Sequence, residues 1–107
     1  MDTNKIADLF ALIERTLSEI KSEDTEQEKK MMLGWKILSN ITQVYGIVNS
    51  SNRRAPGQML VARLISEESD RLIEDVMNSI ENVPEEFRMM IQSVRSTGQE
   101  DDNKKTG

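Results

Sequence analysis

The side chains that could carry out chemistry in this chain are carboxylates, hydroxyls and amines, because the sequence contains no histidine and no cysteine. These absences remove the commonest general base at neutral pH, the thiolate nucleophile and the usual transition-metal ligands. The remaining carboxylate pairs are neighbours in sequence, such as Glu67/Glu68 and Glu85/Glu86. Adjacent side chains on a helix point about 100° apart and do not converge on one reacting atom. We therefore predict a protein that is not an enzyme.

A longer acidic pattern places Glu67, Glu74 and Glu81 seven residues apart. Carboxylate oxygens suit Mg²⁺ and Ca²⁺. The pattern lacks the Glu-x-x-His element of carboxylate-bridged di-metal bundles, and the spacing of an EF-hand loop is absent. We interpret this row of acids as the solvated face of a helix and predict neither a metal site nor a cofactor.

The most distinctive region spans residues 29–66, which contain six cations and no acidic side chain. The whole chain carries a formal charge of −5, so removing these six positive charges leaves −11 on the remainder. Five of the cations are candidates for phosphate contact: Lys29, Lys36, Arg53, Arg54 and Arg63. That interpretation describes a nucleic-acid-associated regulator or packaging factor. The alternative is that the cations balance acidic helices of the same chain.

Hydrophobic periodicity predicts that helices position these side chains. Asp2 or Thr3 can cap a first helix, in which apolar residues recur at spacings of three and four from Ile6 to Ile20. Thr25 and Glu28 have the spacing of a capping box, so we expect the second helix to begin there. The second helix is apolar over more than half of its circumference, which is typical of a central helix.

Two glycines, Gly34 and Gly46, lie inside the predicted second helix. Each costs about 1 kcal/mol relative to alanine in a helix interior, so we expect another backbone to approach closely at both positions. A helix that ends near Gly46 is the alternative.

Pro56 suits the first turn of a third helix, which is predicted to run from about Gly57 towards Asn82. Its buried stripe is expected to include Leu60, Val61, Leu64 and Ile65, and then a second set from Leu72 to Ile80. The segment 66–70 lies between the two sets, and we favour one continuous helix over two separate ones. Pro84 begins the last helix, and no apolar residue follows Val94. We predict an all-α bundle of four helices, or five if the third is interrupted, with a helical domain at 1–95 and a disordered tail at 96–107.

The apolar surface of the second helix exceeds what three other helices can cover. Because a small monomer rarely leaves a large contiguous apolar patch in water, we predict a homodimer or the docking of a helical protein partner. The residues predicted to make this contact are Met32, Trp35, Ile47, Met59 and Met89. No stretch is long and apolar enough to span a membrane, and we expect a cytoplasmic, non-enzymatic regulatory module.

Overall fold

The computed structural model describes residues 1–50 and 56–105, and the side chains of residues 1–50 and 57–96. Within these ranges the chain forms four α-helices and no strand: α1 (Thr3–Lys21), α2 (Gln27–Asn49), α3 (Pro56–Ser79) and α4 (Glu85–Lys105). The predicted all-α class with four helices is confirmed. The five-helix alternative is wrong, because α3 continues through residues 66–70.

The helix ends follow local chemistry, with one correction. The Asp2 carboxylate accepts a hydrogen bond from the Lys5 backbone N–H at 3.0 Å and caps α1 as expected. The capping box predicted at Thr25 and Glu28 is wrong, since α2 begins at Gln27 and its N-cap makes no side-chain hydrogen bond. The Thr25 hydroxyl instead donates to the Glu19 carbonyl at 2.7 Å. That contact adds a second hydrogen bond to a carbonyl that already accepts from the Ser22 backbone N–H at 3.2 Å.

Ion pairs on the surface show how the helices run past one another. Glu14 and Arg71 link α1 to α3 at 3.1 Å, and Lys21 and Asp75 do so again further along, also at 3.1 Å. From the first pair to the second, the residue number increases in both helices, so α1 and α3 are parallel. Arg95 of α4 pairs with acids of α3, which it meets while running in the opposite direction.

The interior consists of two hydrophobic clusters, and α2 contributes to both. The larger cluster contains residues of all four helices: Ile13, Leu17, Ile20, Ile37, Leu38, Ile41, Tyr45, Leu72, Ile73, Val76, Ile80, Phe87, Ile91 and Val94. The smaller cluster lies towards the other end of α2 and contains Ile6, Val44, Val48, Ala62 and Ile65. Burial of each such side chain is worth about 1.5–3 kcal/mol, so these clusters hold the helices together.

Helix α4 contributes three buried apolar side chains among those described, Phe87, Ile91 and Val94. Its backbone helix continues to Lys105 and includes most of the segment 96–107 that we predicted to be a disordered tail. The side chains of residues 97–107 lie outside the described part of the chain, and disorder of this segment stays a prediction.

Candidate interaction surfaces

Several large apolar side chains of this protein face solvent. Among the described side chains they are Met32, Trp35, Met59, Leu60, Leu64, Met89 and Met90. Four of the five residues predicted to contact a partner are therefore exposed. The fifth, Ile47, is half-buried and packs against the smaller hydrophobic cluster.

The first part of α3 carries the clearest apolar surface. Leu60 is 57% exposed and Leu64 is 55% exposed, and they lie one helical turn apart. Met59, which is 46% exposed, precedes Leu60 and lies about 100° from it around the helix. We call Met59, Leu60 and Leu64 the α3 surface. The expectation that Leu60 and Leu64 are buried is wrong.

The reason lies in which line of α3 faces inward. The buried positions of the helix include Ala62, Ile65 and the fully buried Ser69. On a helical wheel Leu60 and Leu64 lie roughly 140–180° away from Ser69, on the outer side. The residues of α3 that face the core therefore form one continuous row that includes Ser69, and the two leucines face solvent.

At the beginning of α4, an aromatic side chain fits against a glycine of α2. A Cβ atom added at Gly34 would lie 3.0 Å from both Ile80 Cδ1 and the Phe87 Cζ. The Phe87 ring also meets the Trp35 ring edge-on, with centroids 5.1 Å apart and an interplanar angle of 76°. We call Gly34, Trp35 and Ile80 the aromatic notch. Side chains make the close approach at Gly34, where we expected a backbone.

Gly46 does not share this environment. A Cβ atom there would meet nothing within 4 Å, so the expected close approach is wrong at this position. The alternative that α2 ends near Gly46 is also wrong, because the helix continues to Asn49.

Three of the five predicted phosphate-binding cations have described side chains. The Lys29 ammonium lies 3.1 Å from the Glu19 carboxylate, as the charge-balancing interpretation predicts for this residue. Lys36 is exposed on α2 and Arg63 is exposed on α3. Arg53 and Arg54 lie outside the described residues. Contact with phosphate thus stays a prediction from the sequence.

The acidic side chains of α3 serve mainly as ion-pair partners. Arg95 contacts Asp70 at 3.4 Å and Glu74 at 2.8 Å. Arg71 bonds to Glu68, and this hydrogen bond lowers the pKa of the Glu68 carboxyl. Each exposed ion pair of this kind contributes about 0–1 kcal/mol to the free energy of unfolding. In the part of the chain that the structure describes, no group of three or more acidic side chains is arranged to hold a metal ion.

One polar group inside the structure was not predicted from the sequence. Tyr45 is buried beside Ser66 and Ser69, and burial raises the pKa of its phenol, with Ser66 partly opposing the shift. Ser69 is fully buried, and its hydroxyl has no hydrogen-bond partner within normal distance among the described residues. From the sequence, residues 66–70 are only the segment between the two apolar sets of a continuous third helix. The available signal was that Ser69 continues the line of Ala62 and Ile65 on the helical wheel.

Comparisons of the chain with protein-family models, with curated proteins and with solved structures gave no match. Among the described residues, no helix combines the length and the apolar character that crossing a membrane requires.

Proposed function

We propose that this protein is a non-enzymatic helical interaction module that self-associates into a homodimer and acts as a regulator through protein contacts. The observation that carries the proposal is the α3 surface, where Leu60 and Leu64 lie side by side with more than half of each side chain in solvent. Isolated exposed apolar residues are common on soluble proteins, whereas adjacent ones on one helix face favour an interface.

The size of this surface sets the expected affinity. Full burial of a leucine is worth about 1.5–3 kcal/mol, so covering the exposed half of each side chain gains about 1 kcal/mol. Four leucines across a twofold axis would supply about 4 kcal/mol, which an association cost of about 4–15 kcal/mol cancels or exceeds. A stable dimer therefore needs Met59 and further contacts.

Sedimentation velocity over a wide concentration range tests the proposal. We expect the average mass of the wild type to rise with concentration, and the double variant Leu60→Gln/Leu64→Gln to remain a monomer with an unchanged helix content. Met32→Gln is the matched control, because Met32 is also exposed, at 72%, but lies on α2 away from the α3 surface. A wild type that remains monomeric at millimolar concentration would contradict the proposal.

A further inference from the structure

Among its described side chains, which end at residue 96, helix α4 is bound to the rest of the molecule by one narrow row. Its buried anchors Phe87, Ile91 and Val94 are spaced at i, i+4 and i+7. This is the pattern with which an amphipathic helix occupies the groove of another protein. Here the groove belongs to the same chain and is formed by α2 and α3, and we call it the α4 groove.

The α4 groove makes specific contacts with the helix that occupies it at two separate points. The aromatic notch leaves room for a planar ring because residue 34 has no side chain, and Phe87 fills that space. Eight residues further along α4, Arg95 meets Asp70 and Glu74. Phe87 and Arg95 of the same chain occupy these two points, and a second copy would present the same two side chains at the same separation.

The connection between α3 and α4 gives a physical reason for exchange. Only residues 80–84 join the two helices, and within them Asn82 has a φ of 53°, in the left-handed region. A non-glycine residue in that conformation is strained, although asparagine tolerates it better than most. Pro84 follows and restricts Val83 to extended geometry. Opening this connection relieves the strain at Asn82.

We propose that two copies of this chain exchange α4, so that each α4 groove binds the α4 of the other copy. Exchange keeps every contact of Phe87 and Arg95 and changes only which chain supplies them, so it adds little cost beyond association. Because the exchanged contacts are present in the monomer as well, the net gain comes from relief at Asn82 and from new contacts such as those of the α3 surface. The inference rests on the proposed self-association.

Cross-linking between two singly substituted chains tests the exchange, since the natural sequence contains no cysteine. Glu74→Cys and an isotopically labelled Arg95→Cys chain are mixed, unfolded, refolded together and treated with a short bis-maleimide. The two positions adjoin within one fold, where the native side chains are 2.8 Å apart. We expect a covalent product that contains one labelled and one unlabelled chain. Lys5→Cys, which is exposed at the start of α1, replaces Glu74→Cys in the control mixture and should give only background.

Hinge variants provide the second measurement. Asn82→Gly relieves the strain of the closed monomer and should weaken the dimer about tenfold, whereas Asn82→Ala increases the strain and should strengthen it about tenfold. A dimer that sediments normally but gives no mixed product overturns the exchange and leaves self-association intact. A dimer of equal strength in both hinge variants also overturns it. A wild type that never dimerises contradicts both proposals.

Discussion

The two ends of α2 lie in different surroundings. Around Gly34, Ile80 of the α3–α4 connection and Phe87 of α4 pack against the helix, and the Phe87 ring occupies the space that a Cβ atom would need. Around Val44 and Val48 the smaller cluster contains residues of α1, α2 and α3, and α4 contributes none of its described side chains. Beyond Val94, the sequence of α4 offers no apolar residue that could extend the core in this direction. The composition of α4 thus decides that it covers α2 around Gly34, and we call this the sealed end because Phe87 fills the space beside Gly34.

The largest effect is expected at the sealed end. Phe87→Ala should lower the free energy of unfolding by about 3–5 kcal/mol, because it leaves a cavity next to Gly34 that the backbone cannot fill. Urea unfolding followed by far-ultraviolet circular dichroism measures the change. Met89→Ala is the matched control on the same helix; Met89 is 61% exposed, and its loss should change stability by less than about 0.5 kcal/mol. Equal effects of the two substitutions would show that α4 is not docked through Phe87.

Substitutions at the two glycines of α2 test the same difference between the ends of the helix, because their expected effects on stability have opposite signs. Gly34→Leu should destabilise the fold by about 1–3 kcal/mol, since the added side chain meets the Phe87 ring. Gly46→Ala should stabilise it by about 0.5–1 kcal/mol, because alanine favours the helix and nothing lies within 4 Å of the new methyl group. Thermal unfolding of both variants measures the difference. Stabilisation by Gly34→Leu would mean that the aromatic notch is not closed by α4.

These positions also show how much of the structure the sequence could predict. Periodicity correctly predicted four helices and a continuous α3, because each helix has enough apolar residues at regular spacing. It did not predict which line of α3 faces inward. A helix could bury either the face with Leu60 and Leu64 or the face with Ser69. Which face is buried depends on how the neighbouring helices approach. Local spacing contains no information on that approach.

The candidate surfaces were predicted in part for the same reason. Met32, Met59 and Met89 are exposed as a partner-binding role requires, whereas Ile47 packs inside against the smaller cluster. A glycine in a helix indicated the close approach of another backbone; side chains approach at Gly34 instead, and nothing lies within 4 Å of a Cβ atom at Gly46. The sequence alone does not distinguish a glycine that makes room for a neighbour from one that has no neighbour.

The smallest expected effect concerns Tyr45, which belongs to the larger cluster but lies between the two ends of α2. Because burial raises the pKa of its phenol, the unfolded chain loses this proton at a lower pH than the folded protein does. The stabilising contribution of the buried phenol is therefore complete below the ordinary tyrosine pKa of about 10 and decreases as the pH rises above it.

Tyr45 is the only tyrosine, so the ultraviolet absorbance of tyrosinate reports on it alone. We expect a higher titration midpoint for the folded protein than for the chain in denaturant, and a weaker loss of stability above this pH in Tyr45→Phe. Identical midpoints in the two states would show that solvent reaches the phenol, and that the region between the sealed end and the smaller cluster is open.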